Sequence, residues 1–221
     1  VRMVFDRPAL SVFHVASVVS GGGELDFDLA MRVNLDGNLH VLESARALGS
    51  KPRVVFASSI AVFGGKAMPK HVGDATKQVP QTTYGMTKAI GELLVNDYTR
   101  KGFIDGRSAR LPTVIIRPGK PNKAASSFAS GVFREPLSGV ECVLPVGTDA
   151  VMPLAGYRTI VEGFVKLHEV DGAKLGEDRA VSLPSLDVTV ADMIAALKRV
   201  AGNRKLGEIR VEKDPVIERI V

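Results

Sequence analysis

A tyrosine and a lysine four residues apart, Tyr84-Gly-Met-Thr-Lys88, follow a serine pair, Ser58-Ser59, that closes an apolar run 25 residues upstream of the tyrosine. On a helix, positions i and i+4 share a face, with Cβ atoms about 5–6 Å apart. An ammonium there lowers a neighbouring phenol's pKa from its reference near ~10 toward the working range of a general base. A serine hydroxyl delivered from a strand end can hold the oxygen that the tyrosine deprotonates. Ser59, Tyr84 and Lys88 together supply the proton-handling half of an alcohol oxidation. Tyr-x-x-x-Lys alone is a common accident of sequence; the upstream serines and the setting give it weight.

These groups need rigid supports, and the chain offers them in alternation. Ser11 to Ala16 and Arg53 to Ala57 are apolar runs of strand length, and Thr113 to Arg117 reads as another buried strand. Phe27 to Leu48 and Tyr84 to Arg100 have helical periodicity, with Ile90, Leu93 and Leu94 turned to the core. Strands alternating with helices imply a parallel, doubly wound α/β sheet. Ligands in such sheets sit beyond the carboxyl ends of the strands. Ser59 and the Arg117–Asn122 loop both follow strand ends, so they are expected to converge on one crevice.

Beyond about residue 122 the pattern changes. Phe128 to Leu137 and Tyr157 to Glu169 read as helices, and Glu141 to Leu144, Arg179 to Leu183 and Leu206 to Val211 as short strands. Thr189-Val-Ala-Asp192 is a capping-box sequence opening a helix that Gly202 ends. The expected organisation is a dinucleotide-binding domain over 1–122 and a smaller α+β substrate-binding portion over 123–221.

The run from Val54 through Ser58-Ser59-Ile60-Ala61-Val62-Phe63 to Gly64, followed by Tyr84 and Lys88, resembles the extended short-chain dehydrogenase/reductases, the NAD-dependent sugar epimerase/dehydratase group. Phe13-His14-Val15-Ala16-Ser17 looks like that family's segment bordering the cofactor. Asn34-Leu-Asp-Gly37 looks like the helix after it, and Arg117-Pro118-Gly119-Lys120-Pro121-Asn122 like the loop against the nicotinamide. The resemblance implies a Rossmann-like fold and NAD as cofactor, with NADP as the alternative. It makes Tyr84 the general base and Ser59 the group that orients the substrate hydroxyl. It sets Lys88 on the nicotinamide ribose and His14, Ala16, Ala57, Ser58 and Pro118 near the cofactor. Phe63, Arg110 to Thr113 and Lys120 lean toward a branch acting on four-carbon sugar acids; ordinary sugar-nucleotide epimerases usually carry Tyr and Asn at positions 63 and 120.

A glycine-rich turn with an acidic residue about 20 positions later binds the dinucleotide in this fold, and the chain has no such fingerprint. Gly21-Gly22-Gly23 has the wrong spacing and reads as a flexible loop. Val1 to Phe5 reads as a strand only five residues before the next, whereas parallel neighbours need a crossover of a dozen or more residues. The expectation is therefore an omitted stretch near Asp6 to Leu10 and a missing N-terminal βαβ part.

A carboxylate substrate needs a cation, for which Lys120, Arg117 and Arg158 are the candidates, with Asn122 beside the first. Ser58, one residue from Ser59, points the other way and reads as structural. Asn34 is out of place inside a helix and should bond a neighbouring strand. His40, His71 and His168 lack metal-ligand spacing. The charge of +5 on 221 residues is mild and dispersed, without the aromatic interleaving of single-strand nucleic-acid binding. No apolar run approaches the ~20 residues of a membrane span. One cysteine, Cys142, fits a reducing cytoplasm. A small-molecule substrate and a homodimer are compatible with this reading. A nucleotide-sugar epimerase would use the same three residues; a dehydratase would add acidic catalysts where Ile60-Ala61 stands. A scaffold or sensor that binds the cofactor without turnover is the remaining class, and the intact Tyr–Lys–Ser set argues against it.

Overall fold

The computed structural model describes residues 11–119 and 124–221. Val1 to Leu10, where a strand and an omitted stretch are expected, lie outside the described residues. In chain order the elements are β1 (Ser11–His14), α1 (Ser20–Leu25), α2 (Phe27–Ala30), a π-helical segment (Met31–Asp36), α3 (Gly37–Ala47), β2 (Arg53–Ser59), α4 (Thr83–Arg100), β3 (Asp105–Leu111), β4 (Thr113–Ile115), α5 (Phe128–Leu137), β5 (Cys142–Leu144), β6 (Val151–Gly156), α6 (Tyr157–Glu169), β7 (Ala180–Ser182), β8 (Leu186–Thr189), α7 (Val190–Ala201), β9 (Ile209–Val211) and α8 (Pro215–Ile220). They form two compact units, Val1–Leu111 with Val161–Leu183, and Pro112–Ile160 with Pro184–Val221. The units interleave along the chain instead of meeting at one boundary near 122, because β7 returns to pair with β3.

The first unit is an α/β, Rossmann-like layer. Its sheet runs β1-β2-β3-β7, every neighbouring pair parallel. β2 is buried along nearly its whole length, as a central parallel strand covered on both faces must be. Leu42, Ala45, Val54, Phe56, Val95 and Ile104 form the core between this sheet and helices α3 and α4. On β1, His14 turns toward Phe56, while Phe13 meets Phe164 and His168 of α6. Alternate residues of one strand thus meet helices on opposite faces.

β3 corrects the expectation that Thr113 to Arg117 is the next buried strand of this sheet. Asp105–Leu111 takes that place, and Thr113–Ile115 pairs with β6 in the small sheet of the second unit. A hydropathy reading misses β3 because Arg107, Ser108 and Arg110 are buried within it. Arg107 spends its charge on the end of α6, donating to the carbonyls of Leu167, His168 and Val170 at 2.7–2.9 Å. Cations at a helix C-terminus compensate the dipole and satisfy the last carbonyls.

Gly21-Gly22-Gly23 is a second correction: it forms the middle of helix α1. A Cβ on Gly23 would stand 3.5 Å from the Ala30 Cβ and 3.7 Å from the Tyr84 nitrogen. These are ordinary contact distances, so α1 lies against the start of α4 without needing a glycine there, and Glu24 accepts the Thr83 N–H at 2.8 Å. The long helix expected over 27–48 is helical through Ala47, with a π segment at Met31–Asp36.

The second unit packs α5, α7 and the small sheets around Phe128, Val132, Leu144, Met152, Leu154 and Met193. Its three-stranded sheet runs β4-β6-β8 with an antiparallel β6–β8 pair, and β5 pairs with β9. The capping box at Thr189 is present: the Thr189 hydroxyl accepts the Asp192 N–H at 3.0 Å, and Asp192 accepts the Thr189 N–H at 2.9 Å. Among the described residues, no helix is long and apolar enough to cross a membrane.

Helix α4 approaches β2 through Gly91, where an added Cβ would lie 2.6 Å from the Phe56 ring. Gly37, in contrast, has helical backbone angles and only ordinary contacts, the nearest at 3.6 Å. Gly91→Ala should therefore destabilise by about 1–3 kcal/mol despite alanine's better helix propensity. Gly37→Ala should stabilise by about 0.5–1 kcal/mol. Urea unfolding of the two variants checks the pair, and equal signs would contradict the described packing.

Candidate active site

The site is built at the carboxyl ends of β1 and β2 by the first turns of α4. Thr82 caps that helix, its hydroxyl accepting the Gly85 N–H at 3.0 Å. Gly85 is needed for close approach: a Cβ there would stand 2.1 Å from the Ala61 carbonyl oxygen. The turn carrying Tyr84 is thereby pressed onto the backbone that follows Ser59. Ser59 ends β2 with 9 % exposure and caps the short helical turn after it, accepting the Ala61 N–H at 3.2 Å.

Lys88 is buried, and its Nζ donates to the Ala57 carbonyl at 2.7 Å. The ammonium lies 4.8 Å from the centre of the Phe56 ring and 5.4 Å from that of Tyr84. One carbonyl and two ring faces replace water poorly, so burial pushes the amine down to about 8. His14 is also buried, 5.6 Å from the Phe56 ring. Burial first, and then the Lys88 charge, push it down to about 4, so it is neutral at pH 7.

Asn34 bonds outside its own helix, but to the coil after β1 and to α4 in place of the expected strand. Its Oδ1 accepts the Val18 N–H at 2.7 Å and its Nδ2 donates to the Val18 carbonyl at 3.0 Å, fixing the segment that leaves β1. The same Nδ2 reaches the Thr87 hydroxyl at 3.3 Å, and that hydroxyl donates to the Tyr84 carbonyl at 2.9 Å. The loop after β1 is thus tied to the turn that holds the tyrosine.

Of the expected residues, the structure brings His14, Ala57, Ser58, Ser59, Tyr84 and Lys88 to these two strand ends, with Ala16 exposed just past β1. Ser58 is buried and gives its hydroxyl to Glu92, as its opposite orientation required. Pro118 and Arg158 belong to the second unit and are exposed there. The Arg158 guanidinium lies over the Tyr157 ring at 5.8 Å. The Arg117 backbone is held within its own unit, its N–H donating to Ser130 and its carbonyl accepting from Arg134. Lys120 and Asn122 lie outside the described residues.

The sequence reading missed Glu92, Arg110 and Gln78, which gather behind Ser58. One signal was available: Tyr84, Lys88 and Glu92 follow one another at four-residue steps along one helix face. Among the described residues, no group of three or more His, Cys, Asp or Glu side chains could hold a metal ion.

A parallel sheet whose strand ends present a buried lysine, a half-buried tyrosine and a serine defines a class, and the sequence agrees with it. Residues 1–178 match the NAD dependent epimerase/dehydratase family, and the chain belongs to that family. Along its whole length it is 52 % identical, over 220 residues, to the D-erythronate dehydrogenase of Cupriavidus necator, covering 68 % of that protein. It is 43 % identical over 211 residues to the D-erythronate dehydrogenase of Haemophilus influenzae, covering 96 % of this chain and 67 % of the relative. The crystal structure of a nucleoside-diphosphate-sugar epimerase from Agrobacterium tumefaciens superimposes with a TM-score of 0.88 at 46 % identity, over 99 % of this chain and 65 % of that one. A GalE-like L-threonine dehydrogenase from Cupriavidus necator, in its holo form, gives 0.86 at 26 % identity, over 96 % and 67 %. The chain spans about two thirds of the length of these relatives.

The buried lysine yields a stability prediction. Its pKa is lowered from 10.5 to about 8 on folding, so the folded protein binds this proton less tightly than the unfolded chain. The cost of the buried charge is full below pH 8 and fades as pH rises from 8 to 10.5. Lys88→Met removes that cost and leaves one carbonyl unpaired, for a net gain of about 1–2 kcal/mol at pH 7. The melting temperature of Lys88→Met should exceed the wild type's at pH 7, and the gap should narrow by pH 10. A gap that widens with pH would show that the amine is not held as described.

Proposed function

We propose that this chain is the core of an NAD(P)-dependent dehydrogenase that oxidises a secondary alcohol of a small sugar acid such as D-erythronate. The observation that carries the reading is the Lys88 amine, fixed at 2.7 Å from the Ala57 carbonyl and 5.4 Å from the Tyr84 ring, beside the strand end that bears Ser59. The identity to two D-erythronate dehydrogenases supports the choice of substrate.

The residues at the strand ends fit a dinucleotide. Lys88 has three N–H donors and gives one to Ala57, so it can also meet the vicinal hydroxyls of a ribose. His14, Ala16, Ala57, Ser58 and Pro118 are assigned to the cofactor's surroundings, with NAD favoured and NADP an alternative. When bound, the nicotinamide supplies the hydride acceptor, which no side chain can provide. Tyr84 takes the proton of the alcohol as general base. The Lys88 charge favours the ionised phenol throughout. Ser59 hydrogen-bonds the substrate oxygen and steadies the charge that develops on it. For the carboxylate we assign Lys120 as the cation, with Asn122 and Arg158 as further contacts. The single cysteine, Cys142, is buried and unpaired, in keeping with a reducing cytoplasm.

The structural likeness to a nucleoside-diphosphate-sugar epimerase keeps a second reading in view. The two separate in one experiment on the full-length protein with NAD or NADP, four-carbon sugar acids and nucleotide sugars. A dehydrogenase accumulates reduced nicotinamide with a sugar acid. An epimerase interconverts a nucleotide sugar without net reduction, and that result would replace the present proposal.

Two variants test the assigned roles. Tyr84→Phe should keep the fold while turnover falls by about 10²–10⁴, the loss typical of a general base; near-normal turnover removes Tyr84 from the mechanism. Lys120→Met should raise KM for the sugar acid by roughly 10- to 100-fold, the equivalent of one charge-assisted hydrogen bond. Unchanged KM would leave the acid-binding role to another cation.

A further inference from the structure

Behind Ser59, a single carboxylate gathers four segments of the first unit. Glu92 is 2 % exposed and stands two helical turns from Tyr84 and one from Lys88 on α4. Its Oε1 accepts from the Ser58 hydroxyl and from Arg110 Nε at 3.0 Å. Its Oε2 accepts from Arg110 NH2 at 2.8 Å and from the Gln78 amide. Ser58 is the residue before Ser59. Gln78 precedes Val79, whose N–H donates at 3.0 Å to the Val62 carbonyl, in the turn that Ser59 caps. The strand end carrying the serine and the turn after it are therefore both tied to the helix that carries the tyrosine and lysine.

We infer that Glu92 is a positioning residue for the oxidation: acting through Ser58 and Gln78, it fixes where Ser59 stands relative to Tyr84 and Lys88. The inference rests on the alcohol-oxidising reading of the site. A carboxylate that served only to neutralise Arg110 would need the guanidinium alone. This one also takes the hydroxyl next to the catalytic serine and the amide of the segment leading into α4. Arg110 has further acidic neighbours, Asp74 at 3.8 Å and Asp178 at 4.0 Å, and it donates to the Asp74 carbonyl at 3.0 Å. Its charge is thus not left alone when Glu92 is neutralised. Near-attack geometry is sensitive at the ångström scale, where small misplacement lowers rate without weakening binding.

The test uses the full-length protein with Ser58→Ala, Glu92→Gln and the double variant. Four quantities are read: kcat and KM for the alcohol substrate, the melting temperature, and hydrogen exchange of the Ala61 amide, which donates to the Ser59 hydroxyl oxygen. Ser58→Ala leaves the Glu92–Arg110 pair intact, so the protein should stay folded, with Tm lowered only by the one lost hydrogen bond, while kcat falls roughly tenfold. The double variant should lose no more kcat than Glu92→Gln alone, because the two residues act in series. Ala61 exchange should quicken by about tenfold or more in both single variants. Should Glu92→Gln not fold, Gln78→Leu keeps the ion pair and should show the same faster exchange. Unchanged kcat and exchange in Ser58→Ala would overturn the inference. So would additive losses in the double variant, or a fall in Tm matching the fall in kcat. Absence of turnover with any sugar acid would sink the proposed function, and Ala61 exchange would still decide whether Glu92 places Ser59.

Discussion

Everything at the site depends on how closely helix α4 lies on β2 and on the backbone that follows it. Two glycines set that distance. Gly85 lets the first turn meet the Ala61 carbonyl, and Gly91 lets the helix rest on the Phe56 ring. A lysine side chain reaches about as far as a helix can stand from a sheet, so the approach decides what Lys88 touches. At this spacing its nitrogen ends on Ala57, two residues before Ser59. A wider spacing would leave the amine in water, with its ordinary basicity and no fixed direction.

The same approach explains the electrostatics. The first unit hides several charges, and each is handled differently. Arg107 is divided between the Asp105 carboxylate and helix-end carbonyls, and Glu92 and Arg110 neutralise one another. Lys88 faces a carbonyl and two aromatic rings, and its charge is tolerated more than satisfied. The least compensated of the three is the one the proposed function uses, and a group useful to catalysis is commonly one the fold would be more stable without.

The sequence made α4 and its strand legible because their signals are local. Tyr84 and Lys88 lie one turn apart on a helix, and Ser58-Ser59 closes an apolar run of strand length. β3 escaped because what buries its arginines lies far away in sequence: Glu92 for Arg110, and residues 167–170 for Arg107. Hydropathy records a buried, paired arginine as an exposed one. The glycine cluster misled for a related reason: the helix it forms is held by contacts far away in sequence, Glu24 with Thr83 and Gly23 beside Tyr84. The short strands Val151–Gly156 and Leu186–Thr189 gain their identity only by pairing, the first with both Thr113–Ile115 and the second. That Asn34 bonds outside its helix was legible, because an amide inside a helix needs a partner outside it.

The interleaving of the two units bears on how the protein is made. β3 has β2 on one side from early in synthesis, but its other edge waits for Ala180–Ser182. Nearly all of the stretch from Pro112 to Ile160, which belongs to the other unit, must leave the ribosome first. During that interval the nascent first unit carries an open strand edge and two buried-to-be arginines, Arg107 still without its helix end. Unpaired edges invite association with other chains. Arg110 already has Glu92 on the finished helix α4 by then, so what the unfinished first unit lacks is the end of α6 for Arg107 and a partner strand for β3.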